Sequence, residues 1–426
     1  MIDNEVDIDS FPVSLAKDFF LARQPILNRE QNLIAYELLF RTAASGVAGV
    51  IDDLSATAAV IEHASELGMA KVIGDSLGFI NVDAAVLMSD FVNFLPREKV
   101  VLEILETVNA TPEIIARISE LTAEGFTFAL DDVVNDSEDV RKFLPLVEII
   151  KVDIQDMPRE SLVVLTAFLK ISQKKLLAEK VESLEEFQMC LELGFDYFQG
   201  YYFAKPVILT GKKIAPSELA ILNLMRLINA DSDSAVIERS VKQDASLSLN
   251  LLRLVNSPAV GARMRIDSLG HALIVLGRNQ LQRWLQILLY AKHGKPGNLT
   301  SPLLQLATTR GKLLELMAQK LAPDNRAMAD TAFTVGIMSL MDTLFSLPMA
   351  ELLTQIPVVE EVGDALLYRQ GSYGDMLKLA EYIEQIEESG PLLFAALNKL
   401  QLTTEDLLQL QLAAFEWADT LSQSVG

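Results

Sequence analysis

Short apolar runs, each closed by a polar or charged residue, recur through the first half of the chain. Leu33-Ile-Ala-Tyr ends at Glu37, Gly78-Phe-Ile at Asn81, Val100-Val-Leu at Glu103, and Phe126-Thr-Phe-Ala-Leu at the pair Asp131-Asp132. Val147-Glu-Ile-Ile ends at Lys151, Leu176-Leu-Ala at Glu179, and Phe195-Asp-Tyr-Phe at Gln199. Runs of this length, separated by helical stretches, read as buried parallel strands. Polar residues at the C-terminal ends of such strands converge on one face of an α/β barrel, where chemistry is normally placed. Strands are predicted near 19–23, 34–39, 78–82, 100–104, 126–131, 147–152, 175–179 and 196–199. Helical spacing lies between most of them, over 55–67, 112–124, 160–172 and 183–193. The first two strands are separated only by Asn28-Arg-Glu-Gln-Asn, too short for a crossover helix, so they should pair as an antiparallel hairpin. The expectation is a modified (β/α)8 barrel.

After Pro216 the spacing becomes helical, as in Leu247, Leu251, Leu254 and Val255 or Leu281, Leu285 and Leu288. Breaks at Asn256-Ser-Pro, Gly294-Lys-Pro-Gly, Ser301-Pro and Ser389-Gly-Pro divide an all-α domain of roughly ten helices. The stretch from Pro206 to Pro216, with Gly211, Lys212 and Lys213, reads as a linker, giving domains of 1–211 and 212–426.

The net charge of −22 over 426 residues is uneven. Residues 1–211 carry 17 Lys/Arg against 35 Asp/Glu, whereas 212–426 carry 19 against 23. So acidic a first half repels a nucleic-acid backbone and suits a carboxylate-lined metal site. The three histidines, His63, His271 and His293, are too scattered for a histidine cage. Cys190 sits in a helical pattern and reads as core; with no second cysteine and an acidic start instead of a signal peptide, a cytoplasmic location is expected. The least charged window, 331–350, contains only Asp342 and reads as a buried helix, not a membrane span. Arg253, Arg263, Arg265, Arg278 and Arg283 form the one basic concentration, expected to be a solvated face. Trp284, Trp417 and the methionines of 338–349 are expected in the core or a docking surface.

Eight motifs in order, Gln24-Pro25-Ile26, Tyr36-Glu37-Leu38-Leu39-Phe-Arg41, Phe79-Ile-Asn81, Leu102-Glu103-Ile-Leu-Glu106, Ala129-Leu-Asp131-Asp132, Ile150-Lys151-Val-Asp153, Ala178-Glu179-Lys-Val-Glu182 and Phe198-Gln199-Gly200, resemble the EAL domain of bacterial cyclic di-GMP phosphodiesterases. The second half is similar to the HDOD domain, a helical relative of HD-type phosphohydrolases, through Asp244 to Pro258 and Ser268 to Gly277. The resemblance implies hydrolysis of cyclic di-GMP to linear pGpG by two divalent ions, Mg²⁺ or Mn²⁺, in motility and biofilm signalling. It implies one metal on Glu37, Asn81, Glu103 and Asp131, and a second on Asp131, Asp132 and Glu179. Lys151 would anchor the attacking water and Gln199 its network. Arg41 would meet a phosphate, Gln24 a guanine edge and Glu182 the same base more weakly, while Glu106 would support the loop after Asp132. The helical half would regulate or dock a protein partner, with no nucleic acid and no membrane; a homodimer stays open.

Two departures stand out. The family loop Asp-Asp-Phe-Gly-Thr-Gly is here Val133-Val-Asn-Asp-Ser-Glu-Asp after the Asp pair, and Lys180 replaces the glycine between the two glutamates of Glu-Gly-Val-Glu. The missing loop glycines predict a less rigid Asp132 and a weak second metal. The alternative function is a catalytically weak or inactive cyclic di-GMP effector or interaction scaffold. In the helical half, Ser339 stands where HD-type relatives carry a ligand histidine, so no metal is expected there, and His271 reads as a core residue.

Overall fold

The computed structural model describes residues 19–42, 69–205, 216–242, 252, 255–256, 266, 269–291, 301–356 and 358–425. Eight strands close into a barrel in chain order: β1 (Phe19–Asn28), β2 (Leu33–Thr42), β3 (Leu77–Val82), β4 (Val100–Ile104), β5 (Thr127–Leu130), β6 (Ile149–Asp153), β7 (Lys175–Glu179) and β8 (Tyr197–Gln199). β1 runs antiparallel to both β2 and β8, and the remaining neighbours are parallel. The predicted hairpin turns at Asn28, whose Oδ1 accepts from the Glu30 and Asn32 N–H groups at 3.1 and 2.9 Å. The helix expected over 55–67 and the core of the expected linker, 206–215, lie outside the described residues.

Strand alternation builds two layers inside the barrel. Ile26, Ala35, Phe79, Val101, Ala129, Ile149 and Leu177 form one buried apolar cluster, with Tyr197 packed against it. Their neighbours in sequence point outward: Tyr36, Ile80, Leu102, Phe128, Ile150, Leu176 and Phe198 join Ile118, Leu121, Leu162, Leu169 and Phe187 of the surrounding helices. These helices are well bounded. Thr111 caps Pro112–Ala123 with proline at its first turn, Ser183 and Glu186 form a reciprocal capping box on Leu184–Leu193, and Gly194 ends that helix at φ +83°. Cys190 is buried there as expected, and burial pushes its thiol pKa up to about 12.

The helical half comprises Pro216–Asn229, Ser234–Lys242, Leu269–Ala291 (broken at Gly277, φ +72°), Pro302–Leu321, Arg326–Met338, Met341–Phe345, Met349–Gln355, Glu360–Tyr368, Gly371–Glu384, Ile386–Lys399 and Thr404–Val425. Trp284, Met338 and Met341 are core, and Trp417 is half-buried against Phe333. The apolar window 331–350 is mostly buried but is not one helix: it is divided among Arg326–Met338, Met341–Phe345 and Met349–Gln355, with the sharp bend between the last two. Among the described residues no single helix is long and apolar enough to cross a membrane; Arg326–Phe345 and Met349–Gln355 reach that composition only as a pair bent by 109°.

The expected solvated basic face is not what forms around Arg283. It is buried, donates two 2.8 Å hydrogen bonds to Glu315 and lies 3.6 Å over the Phe333 ring. Its partner, on another helix, turns a surface charge into a core ion pair. Arg278 pairs with Asp231 at 3.0 Å; Arg253, Arg263 and Arg265 lie outside the described residues.

The two halves meet along β1. Phe20 packs edge-on to Phe394 at 4.9 Å, and Gln411 Nε2 donates to the Leu21 carbonyl at 2.8 Å. Arg23 pairs with Asp419 at 3.3 Å while its guanidinium covers Phe415 at 3.8 Å. Barrel and helical half are thus packed against each other through apolar, hydrogen-bonded and ionic contacts.

Candidate active site

Two residues along each strand from the apolar layer lies a polar one. Ala35 is followed by Glu37, Phe79 by Asn81, Val101 by Glu103, Ala129 by Asp131, Ile149 by Lys151, Leu177 by Glu179 and Tyr197 by Gln199. On β1, which runs the other way, Gln24 precedes Ile26 by two. Period-two alternation returns each of these side chains to the barrel interior one level above an apolar residue. Register agrees, since Gln24 faces Glu37 and Asn81 faces Glu103 across their strand pairs.

Lys151, 1% exposed, is the centre of this layer. Its Nζ lies 2.7 Å from Glu103, 2.8 Å from Asp131, 2.8 Å from Glu179 and 3.5 Å from Glu37. Burial opposes the ammonium charge, but four carboxylates outweigh it and hold its pKa well above the usual lysine value. One cation cannot offset four buried anions. Burial and the Glu37 charge therefore push the Glu103 carboxyl well up despite Lys151, and burial with Asp131 raises Glu179 to about 8. Burial also pushes Glu37 up, yet Lys151 and hydrogen bonds from Gln199 and Asn81 leave it below its ordinary value.

Gln199 Nε2 bridges Glu37 and Gln24, donating to Gln24 Oε1 at 2.8 Å. Gln24, expected at a guanine edge, is thereby tied into the polar layer. Gly200, next in sequence, has φ +142°, and a Cβ there would stand 2.1 Å from the Val181 carbonyl oxygen. Only glycine fits, and this close approach sets where Gln199 points.

Asp132 leaves the strand pattern. Its φ of +46° turns it out of the β5 alternation, and burial together with Asp153, Asp131 and Glu106 raises its carboxyl pKa. The glycine-free loop beyond it is hydrogen-bonded back to the barrel. Val133 is buried and donates its N–H to the Lys151 carbonyl at 2.9 Å, and Ser137 caps a short helix, Glu138–Phe143, that begins inside the stretch expected as loop. Asp136 pairs with Arg141 across that turn. Lys180 occupies left-handed backbone, φ +55°, where the family glycine would stand, and its ammonium pairs with Asp153.

A cavity of about 500 Å³ opens over the layer. Glu37, Asn81, Asp131, Asp132, Lys151, Glu179, Gln199, Gln24, Glu106 and Glu182 line it, and Leu306, Glu384 and Gln385 of the helical half reach its edge. Glu182 accepts from Lys205 at 2.6 Å at the rim, and Glu106 is exposed at the lip. Arg41 stands opposite Phe20 at the end of β2; its side chain lies outside the described residues. Asp153, which follows Lys151 by two on the same strand, also lines the cavity. Glu384 could not be foreseen, being 183 positions from its barrel partner Tyr201.

Asn81 Oδ1, both Glu103 carboxylate oxygens, Asp132 Oδ1 and Gln199 Oε1 are buried without a hydrogen-bond partner among the described residues. For Glu103 Oε1 the lysine is close but poorly aligned. Orphaned hard oxygens around excess negative charge fit a divalent cation of the Mg²⁺ or Mn²⁺ type. Nζ holds the point where the carboxylates converge, so no three of them among the described residues yet surround a common ion position. A cation bound here would draw on the same carboxylates as the Lys151 ammonium.

Residues 9–206 match the model of the EAL domain and residues 217–355 that of the HDOD domain. The chain is 32% identical over 413 residues to the cyclic di-GMP phosphodiesterase CdgJ of Vibrio cholerae, covering 95% of this chain and 94% of that protein. It is 30% identical over 411 residues to YuxH of Bacillus subtilis, covering 94% and 98%. Among solved structures, B. subtilis YkuI, crystallised with cyclic di-GMP and calcium, is 20% identical with a TM-score of 0.38, covering 59% of this chain and 70% of that one. An EAL domain protein of Listeria monocytogenes is 22% identical with a TM-score of 0.36, covering 44% and 87%.

Proposed function

Because the chain belongs to the family of proteins that join an EAL domain to an HDOD domain, we propose that its barrel is a cyclic-guanylate phosphodiesterase that opens cyclic di-GMP to linear pGpG. The observation that carries this reading is the single interior layer of carboxylates and amides with uncompensated negative charge. Glu37, Asn81, Glu103 and Asp131 would hold one Mg²⁺ or Mn²⁺, and Asp131, Asp132 and Glu179 a second. When bound, such a pair relieves charge on the phosphoryl oxygens and eases deprotonation of the attacking water. Lys151 Nζ, an obligate donor, orients that water; Gln199 fixes Glu37 and Gln24; Gln24, Glu182 and Arg41 bind the nucleotide. Glu103 and Glu179, whose carboxyl pKa values are raised in the metal-free chain, would give up their protons to serve as ligands. In this reading residues 1–211 carry the chemistry and 212–426 form a regulatory, partner-docking half.

The test is incubation of the purified chain with cyclic di-GMP and Mn²⁺ or Mg²⁺, with chromatographic detection of pGpG. Glu37→Ala should lower turnover by about 100-fold or more, the scale of losing a metal-site group, without unfolding the barrel. Equal turnover in both proteins would sink the assignment. The left-handed backbone at both Asp132 and Lys180 favours a second reading, a slow enzyme that acts mainly as a cyclic di-GMP effector. Tight binding of cyclic di-GMP in Ca²⁺ with no pGpG in Mn²⁺ would select it.

A further inference from the structure

The turn that follows Gln199 is held from both sides. On the barrel side, Val181 N–H donates to the Gln199 carbonyl at 2.9 Å and Tyr202 N–H to the Val181 carbonyl at 3.1 Å, knitting the ends of β7 and β8 together. On the helical side, Thr343 Oγ1 donates to the Ala204 carbonyl at 2.8 Å, and Ala204 is buried in the helical core. Between them, Tyr201 Oη donates to Glu384 Oε2 at 2.7 Å.

Glu384 is itself placed with care. It is the last residue of Gly371–Glu384, where the helix dipole disfavours an anion. Arg310 offsets that cost: its Nε donates to Glu384 Oε1 at 2.9 Å, a second guanidinium nitrogen to Oε2, and Nη1 to Ser339 Oγ at 2.7 Å. Arg310 is 4% exposed and Ser339 3%. The arginine reaches Ser339 because its helix crosses Arg326–Met338 at two glycines; a Cβ on Gly336 would lie 2.7 Å from Gly311 Cα and from the Arg310 carbonyl oxygen. Ser339, where relatives of the helical fold would carry a ligand histidine, thus anchors an arginine whose other bonds lead to the barrel.

We propose that Glu384 is a positioning residue for the barrel site: through Tyr201 it fixes the turn at Gly200, and with it Gln199, so the nucleotide pocket is complete only with the helical half docked. This rests on the phosphodiesterase reading for the nature of the ligand. Anything that moves Arg310 or Glu384 from the helical side, such as a docking protein, then changes how the barrel holds its nucleotide.

The test uses the full chain with Tyr201→Phe, which deletes one hydroxyl and leaves the Arg310–Glu384 pair intact, Glu384→Gln, and the double variant. Two readouts separate positioning from stability. Amide hydrogen exchange at Val181 and Tyr202, without nucleotide, should speed up about 10-fold in each single variant while strands β4 and β5 keep their protection. KM for cyclic di-GMP with Mn²⁺ should rise about 10-fold with kcat changed less than about threefold, and the double variant should be no worse than the poorer single one. Unchanged exchange at both amides overturns the proposal, as do strictly additive effects on KM. If wild type neither binds nor hydrolyses cyclic di-GMP, the phosphodiesterase reading fails, and the exchange experiment alone decides the role of Glu384.

Discussion

Replacing Lys151 with methionine removes the one ammonium at the centre of the carboxylate layer while keeping most of the length of the side chain. Glu103, Asp131, Glu179 and Glu37, at 2.7, 2.8, 2.8 and 3.5 Å from the lost nitrogen, then crowd a buried site without its cation. Breaking a buried ion pair by deleting one partner costs about 3–5 kcal/mol. At roughly 2–4 °C per kcal/mol for a barrel of this size, the barrel's melting transition in EDTA should fall by about 6–20 °C. Divalent ions should restore more of it in the variant than they add to wild type, because the variant no longer has a competing cation at the convergence point. At a hundredfold excess over Kd, Mn²⁺ returns about 2.7 kcal/mol. Differential scanning calorimetry of both proteins, in EDTA and in graded Mn²⁺, reads these shifts directly. A loss under about 1 kcal/mol in EDTA, or equal Mn²⁺ shifts in the two proteins, would refute the view that lysine and metal compete for one place.

Gly200→Ala forces a Cβ into the Val181 backbone and should cost about 3 kcal/mol or more and displace Gln199, cutting kcat/KM by on the order of 100-fold, chiefly through KM; a wild-type melting curve and rate would disprove the contact. Glu315 is held below the usual carboxylate range: burial raises it, but Arg283 and Lys312 outweigh that. Its contribution is present above the unfolded value and disappears as pH falls through the lower folded one, so Glu315→Gln should cost about 3 kcal/mol in urea unfolding at pH 7 and far less near pH 3. A cost independent of pH would contradict the pairing. In the full chain with Glu37→Ala and Asp131→Ala, elemental analysis should find no bound Mn²⁺, since Arg310 already places a fixed positive charge beside Ser339 in the helical half. A retained equivalent would reveal a second metal centre.

The polar layer was legible because strand alternation acts over a handful of neighbouring residues. An apolar run ending in a charged residue says both that a strand is buried and that its end faces inward. Glu37, Asn81, Glu103, Asp131, Lys151, Glu179 and Gln199 all arrive together on that basis. Contacts between distant segments left no such trace. Arg283 reads as a surface charge until Glu315, 32 residues later, folds against it, and Tyr201 gives no hint of Glu384. The short helix after Ser137 is signalled only by its own capping, Ser137 followed by Glu138 and Asp139, on a segment whose family counterpart is a glycine loop.

The apolar cluster of Ile26, Ala35, Phe79, Val101, Ala129, Ile149 and Leu177 gives the barrel a floor. With that floor the barrel is a cup and not a tube, open at one mouth. In the phosphodiesterase reading, a nucleotide seated there would cork the cup above its ions, so that metal would enter first and leave last. The helical half, leaning over the rim through Leu306, Glu384 and Gln385, stands where it can set the width of that mouth.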